Sequence, residues 1–552
     1  MSEMKYIKGY PEYMRDLINV VNKTRMKRKD YTPPAMSAEE REEVLKLHPD
    51  FAPGGKRKIS IGLNKGDLAA NEVVDLLEAY PVIEKEEIDL SKVHYDTDVL
   101  IIGGGLAGTS AAIWCNNQGI PAEKILLVNK LRHGDANSIM AEGGTQAADR
   151  PNDSPLIHYL DAMGGGHFTN KPDVLKALVE DAPYIMHWLV ELGAMIDREE
   201  NGDFASKWGG GTSRRRMHAC RDYTGLEEFR VIRDEFRNRK IPTLEFYPAV
   251  ELLTDDTGRV VGAVLCNLET SEYEIVRAKT TVMATGGFGR LHIRGFPTTN
   301  HYGATADGIV LAYRAGAKLR DTDTVQYHPT GAAFPPQIIG LLLTEKLRSM
   351  GAQPVNIDGE AFVFPLEPRD VEAASFIREC YVRDKGIQTP TGMRGIWLDT
   401  PLIELKNGEG TIESAFPGMK RMFERFDIDM ASDPVLVFPT LHYQNGGVET
   451  DPEGKTSAEG LFVAGEISGG VHGKNRLMGN STLDCMVFGR RAGMFAAEYA
   501  KKAKSPGKLS LKHMQKYIDM LKEAGIKTER KAPMLLPDYR GKAVLARMID
   551  VF

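Results

Sequence analysis

Cysteine is scarce in this 552-residue chain, and the few present lie far apart. Cys115, Cys220, Cys266, Cys380 and Cys485 include no C-x-x-C pair. That excludes a disulfide scaffold, a thiolate zinc site and an iron–sulfur cluster held by this chain alone. Long apolar runs are also missing, so no stretch has transmembrane length. The N-terminus, MSEMKYIKGYPEYM, lacks the apolar core of a secretory signal, and a cytoplasmic location is expected. There is no excess of positive charge. A net charge of -6 argues against general nucleic-acid binding, which needs a basic surface. Repeats and low-complexity tracts are lacking. What is present, 42% hydrophobic and 26% charged residues, is an ordinary globular composition long enough for two or more domains.

Residues 1–94 read as an N-terminal extension, expected to dock a partner or to pack between subunits. MRDLINVVNKTRMKRKD has a helical pattern. TPPAMSAEEREEVLKL follows it with a Pro-Pro break and a second helix, capped by Ser37 with Glu40 at capping-box spacing. The basic run KRK at 56–58 reads as solvated. From Asp96 the texture changes. DTDVLIIGGGLAGTSAAIWCNNQG reads as a buried strand, a glycine turn and a helix, and KILLVNK at 124–130 as the next strand. Strand–helix–strand alternation implies a parallel sheet. EYEIVRAKTTVMATGG and the distant GLFVAGEISGG supply more strands, so the sheet is completed from far along the chain. The expected class is α/β. It comprises a Rossmann-like dinucleotide-binding domain (95–325 and 438–497), an inserted α+β capping domain (326–437) and a short helical C-terminal segment (498–552).

Gly103, Gly105 and Gly108 form G-x-G-x-x-G directly after a strand and at the start of a helix. The first glycine permits the tight turn, the second lets a pyrophosphate approach the backbone, and the third lets helix and strand pack closely. The helix start, with Leu106 and Ala107, offers amide donors to the phosphates. The acidic residue expected about twenty residues on is replaced by Asn129, followed by Lys130. An asparagine can still bond a ribose hydroxyl. The missing carboxylate weakens an NAD reading and leaves FAD open.

SIMAEGG, MATGG, YHPTG, LLTEKLRSMGA, PRDV, HYQNGGV, LFVAGE and HGKNRLMGNSTLD follow in this order. Over residues 96–495 the chain closely resembles the flavoprotein subunit of the succinate dehydrogenase/fumarate reductase family, which includes L-aspartate oxidase. The resemblance implies an FAD domain and a mobile cap with the active site between them. It also implies hydride transfer between flavin N5 and a dicarboxylate such as fumarate or succinate. Asn137, Ser138, Glu142, Gly143 and Gly144 resemble the segment around the pyrophosphate and isoalloxazine. Thr285, Gly286 and Gly287 resemble a second glycine contact. Asp307, Glu466, Ser481 and Leu483 resemble further flavin-binding positions.

By the same resemblance, His328 with Thr344 clamps one substrate carboxylate and His442 with Arg476 the other. Charge-assisted bonds of this kind are the strong ones. Arg369 aligns with the family's proton donor, and Glu345 and Asp370 with its relay. An arginine is a weak acid, yet a carbanion beside a carboxylate is basic enough to take its proton.

The family's covalently flavinylated members carry R-S-H-T-V-A-A-Q-G-G. Laid on D-A-N-S-I-M-A-E-G-G, their histidine falls on Asn137, so non-covalent FAD is expected. His133, four residues earlier, is expected to be structural or solvent-facing. Aspartate oxidases place a glutamate before a Gly-Gly pair to meet an ammonium group. The matching position in SKWGGG is Trp208, which favours an unaminated dicarboxylate. With no cluster ligands in the chain, an iron–sulfur partner subunit is the expected electron source. Reduction of another enoate, L-aspartate oxidation and a non-catalytic FAD conduit are the alternatives.

Overall fold

A computed structural model describes residues 8–539. Residues 1–7 of the extension and 540–552 of the C-terminal segment lie outside the described residues.

The extension forms α1 (Glu12–Arg28) and α2 (Ala38–Leu45). The Ser37/Glu40 capping box sets the start of α2, each residue's side chain bonding the other's backbone amide. Both helices pack within their own chain. Arg25 and Arg28 on α1 converge on the buried carboxylate of Asp399. Tyr10 packs against Phe334 and Trp397. Val44 of α2 joins a small apolar cluster with Val371 and Ala374. Further on, Asn64 bonds Leu319 and the backbone amide of Ala70 bonds Thr322. Ile83 and Ile88 cluster with Val250, Val264 and Ile275 of the other main sheet, so the extension spans both main sheets.

One carboxylate of this extension sets a pH dependence. Asp50 is buried beside His48, and its Oδ2 accepts the Val325 amide at 2.9 Å. Burial pushes the Asp50 carboxyl up to about 7 from 3.8. A carboxyl raised on folding holds its proton longer in the native state, so its contribution to stability falls as pH rises from about 4 to about 7. Asp50→Asn removes that loss. The variant is expected to gain on the wild type by roughly 4 kcal/mol across this window, read as the difference in urea-unfolding free energy at each pH.

The first main sheet is built around β1 (Tyr95–Ile102), whose inner residues are buried. A glycine turn leads from β1 to α3 (Leu106–Asn117), and the chain returns as β2 (Ile125–Val128), parallel to β1. On its other edge β1 pairs in parallel with β3 (Tyr273–Met283). The distant strand Leu461–Val463 pairs in parallel with the end of β3, so the sheet is completed by late sequence, as the pattern implied. Two antiparallel strands, Ala249–Thr254 and Val260–Cys266, extend the edge.

The second sheet is antiparallel. It contains β4 (Val325–Ala332), β5 (Val435–Gln444) and the strands Arg394–Asp399 and Gln353–Val355. The helix α4 (Arg369–Ile377), opened by Pro368, packs on β4 and β5 with every residue buried. The helix α5 (Asn480–Lys502) lies along α3 and closes the first domain. The architecture is α/β with a second, antiparallel sheet. Among the described residues no helix is long and apolar enough to cross a membrane.

Candidate active site

The turn between β1 and α3 has the geometry of a phosphate cradle. Gly103 adopts φ 107°, which L side chains rarely adopt. A Cβ on Gly108 would lie 1.8 Å from the Gly103 carbonyl oxygen, so the helix sits directly on the turn. Gly105 has no side chain to cap α3; Ser138 Oγ accepts the Leu106 amide at 3.3 Å, and the amides that follow face a ligand. The cavity in front is lined by Gly103, Gly105, Ala107, Asn129, Lys130, Asn137, Ser138, Thr285, Gly286, Asp307 and Glu466. Asn129 donates its Nδ2 to Thr243 and Leu244, leaving Oδ1 as an acceptor for a hydroxyl group. Lys130 pairs with Asp307. Thr285 keeps a buried Oγ1 without a partner. This donor and acceptor set fits a dinucleotide such as FAD.

Leu106, Gly108, Gly287 and Leu483 do not line the cavity. Leu106 and Leu483 belong to the buried core beside it. Gly287 packs on Glu466, whose Oε1 lies 2.3 Å from where a Cβ would stand. His133 is buried rather than solvent-facing, wedged edge-on against Phe229 and Phe236.

A second cavity meets the first at Asn137, Ser138, Glu466 and Cys485. It is lined by Glu142, Gly143, Gly144, His328, Thr344, Glu345, Arg369, His442, Arg476 and Ser481. Most of these lie far apart in sequence. β4 supplies His328, β5 supplies His442, α4 supplies Arg369, and the loop before α5 supplies Arg476.

The two imidazoles stand edge-on with centroids 5.0 Å apart. Burial, reinforced by the charge of Arg369, holds both far below 6.5, so both rings are neutral at neutral pH. The Thr330 amide can only donate, and it points at His328 Nδ1 from 3.2 Å. The proton of the neutral ring therefore sits on Nε2, a donor suited to a carboxylate. His442 Nδ1 is held by Thr299 Oγ1 at 2.8 Å.

Arg476 stacks over Tyr443 at 4.5 Å and keeps a buried Nε without a partner. Burial first, then the charge of Arg369, lowers it to about 9. An arginine forced toward neutrality with an orphan donor fits an absent anion.

Arg369 donates Nε to Glu345 Oε2 at 2.9 Å and Nη1 to Gln326 Oε1 at 3.0 Å. Burial lowers its pKa, and Glu345 opposes that shift. For Glu345, burial alone would raise the carboxyl. The charges of Arg369 and Arg348 and the Gly210 amide outweigh it and hold the group below the usual range.

Two residues here, Gln326 and Arg348, were not assigned from sequence, and a third, Asp370, stands apart from its assigned place. Gln326 Oε1 accepts from both Arg369 and Arg476, the latter at 2.8 Å, and so bridges two like charges. Arg348, within LLTEKLRSMGA, reaches Glu345 Oε2 at 3.4 Å; the signal was its spacing of three from Glu345. Asp370, expected in the relay, points away from Glu345. Its oxygens bond His167 at 2.6 Å and Asn475 at 3.0 Å, because successive helical residues project in different directions.

Asn137 joins the two cavities. It donates Nδ2 to Glu466 Oε2 at 3.1 Å and accepts the His301 amide at 2.9 Å. Glu466 is pushed up to about 7 by burial. Glu142 is also raised by burial, and its Oε2 has no partner. Trp208 lies outside the cavity, 37% exposed, with Arg215 over its ring. Among the described residues no group of three or more His, Cys, Asp or Glu could hold a metal ion.

Comparison with known proteins places this geometry. The sequence profile of a family described as FAD binding domain matches residues 98–482. One chain of the CoM/CoB fumarate reductase of Methanothermobacter marburgensis is 37% identical over 445 residues, covering 78% of each chain. L-aspartate oxidase of Streptomyces coelicolor is 34% identical, covering 71% of this chain and 67% of that one. Among solved structures, a variant of the quinol fumarate reductase chain of E. coli superposes with TM-score 0.70 at 30% identity. That match covers 78% of this chain and 74% of the other.

Proposed function

We propose that this chain, which belongs to the flavoprotein family of the fumarate reductases and succinate dehydrogenases and is an FAD-dependent oxidoreductase, reduces fumarate as the flavin-carrying member of an electron-transfer assembly. One observation carries the reading. Two neutral imidazoles and two guanidiniums converge on a single cavity that opens into the dinucleotide cradle.

Bound FAD supplies the hydride. The protein's own part is to hold the dicarboxylate and to supply a proton. His328 Nε2–H and Thr344 hold one carboxylate; His442 and Arg476 hold the other. These donors stabilise the negative charge that grows on the substrate as it is reduced, which is the differential binding catalysis requires. Arg369 gives the proton to the developing carbanion. Glu345, kept ionised between Arg369 and Arg348, passes a proton back from Arg348 to Arg369. Gln326 fixes the spacing of Arg369 and Arg476. Asp370 serves the site through Asn475, the neighbour of Arg476.

FAD is held without a covalent bond. Asn137 is committed through both ends of its carboxamide, and a carboxamide is a poor nucleophile. Acid precipitation of the holoprotein is expected to leave the yellow colour in the supernatant; colour in the pellet would contradict this. The electrons come from an iron–sulfur partner. Purification of the native protein as a lone, active, NADH-oxidising flavoenzyme would rule that partner out. The direct test of the reaction is fumarate reduction with a reduced viologen dye, alongside succinate oxidation.

A second reading is oxidation of L-aspartate. It is favoured by Glu142, whose unpartnered carboxyl oxygen could meet an ammonium group. Burial works against it by keeping that carboxyl protonated. Oxygen-dependent iminoaspartate formation would decide for this reading.

A further inference from the structure

Glu372 has no part in either cavity, yet it is wholly buried one helical turn beyond Arg369 on α4. A buried carboxyl is costly unless something requires it. We infer that Glu372 is the proton reservoir of the site, feeding Arg369 through Arg348 and Glu345. The inference rests on the reading of Arg369 as proton donor.

The geometry is a chain of alternating guanidine and carboxyl groups. Arg369 Nε bonds Glu345 Oε2 at 2.9 Å, and Arg348 Nη2 approaches the same oxygen at 3.4 Å. The other arm of Arg348, Nη1, bonds Glu372 Oε2 and the Pro365 carbonyl. Arg348 and Glu372 have side chains with no solvent exposure, so a path that stopped at Arg348 would stop inside the protein. The other oxygen of Glu372, Oε1, is buried without any partner.

The two carboxyls of the cluster differ in state. Glu345 sits between two guanidiniums and is held ionised. Glu372 is raised well above the usual range by burial. Arg348 opposes this, while the charges of Glu345 and Glu367 add to it. Of the two, Glu372 is the one that burial drives toward its protonated form. Outward from it, Glu367 is fully buried but bound by Arg41 of the N-terminal extension at 2.9 Å, and the Arg41 side chain is 38% exposed.

The transfers balance with one proton taken from water. Arg369 loses its proton to the substrate carbon and becomes neutral. Glu345 takes a proton from Arg348 and delivers it to Arg369. The neutral Arg348 takes the carboxylic acid proton of Glu372, and the resulting carboxylate is reprotonated from solvent.

The test compares FAD-loaded wild type with Glu372→Gln and Glu372→Asp in dye-driven fumarate reduction, from pH ~6 to ~9. Glutamine is expected to lower kcat roughly tenfold or more while KM for fumarate changes by less than about twofold. Its solvent deuterium isotope effect on kcat should rise. Aspartate, which pulls the proton back from Arg348 by one methylene, should fall between the two. Wild-type kcat and pH profile in Glu372→Gln, with Arg369→Ala inactive, would overturn the reservoir and leave the site reading intact. Turnover in Arg369→Ala would sink the site reading itself. If the glutamine chain yields no flavoprotein, wild-type kcat and pH profile in Glu372→Asp overturn the proposal alone.

Discussion

Arg369→Ala is expected to lower dye-driven fumarate reduction by roughly 10²- to 10⁴-fold, the range for removing a general acid. The guanidinium sits where three demands meet. It must stay charged to orient a dianion, give up a proton to a carbanion, and recover that proton from a neighbour. Burial lowers its pKa, which makes it a better acid than a free arginine. Its bonds to Glu345 and Gln326 fix its direction. Arg369→Lys keeps the charge but loses the planar fork that makes both bonds at once. The lysine variant should therefore keep a KM for fumarate near the wild type and lose kcat almost as far as alanine. The measurement is steady-state kinetics on protein with its FAD content checked. Retention of more than about a tenth of wild-type turnover in the alanine variant would remove Arg369 from the acid role.

Gly108→Ala is expected to destabilise the fold by at least about 4 kcal/mol and to leave the protein without FAD. The new methyl would stand 1.8 Å from the Gly103 carbonyl oxygen and 3.3 Å from the Ala284 Cβ. The nearer neighbour is backbone, not a flexible side chain, so α3 has to move off β1. That movement pulls the first amides of α3 away from the cradle. Thermal unfolding and the flavin absorbance of the purified protein report the two effects. A Gly108→Ala protein with wild-type melting temperature and full yellow colour would show that the close approach does not matter. Gly286, with no atom within 4 Å of its Cβ position, lines the same cavity without that steric demand, although its φ of 71° still strains a side chain there.

Much of the fold was legible because its signals are local. A buried strand, G-x-G-x-x-G and a helix within residues 95–117 have one physical solution, since only glycine tolerates the turn and the contact. The Ser37/Glu40 capping box was legible for the same reason: both partners lie within one turn. The site residues were legible only through resemblance. His328 and His442 are more than a hundred residues apart, and nothing in either local pattern says that β4 and β5 will pair and bring the rings together.

Asp370 and Arg348 show the limit most clearly. Asp370 was expected in the relay through its resemblance to the family's relay position. Neighbouring residues on a helix diverge by roughly 100°, and its carboxylate faces His167 and Asn475 instead. Glu372 carries no motif, and its significance is its burial against Arg348.

The chain's sequence by itself determined the nucleotide cradle, the α/β class, the absence of its own metal relay ligands and the asparagine where a flavin-linking histidine would stand. The first three follow from residue type and short-range spacing, the asparagine from resemblance to the family's motif. The tertiary structure alone decided which titratable groups share one buried space. Proton affinities in that space depend on burial and on charges a few ångströms away, contributed by segments distant in sequence. It also decided that the N-terminal extension lies across both sheets. Partially exposed Arg41 and buried Glu367, more than three hundred residues apart, become one ion pair only when α2 packs on α4.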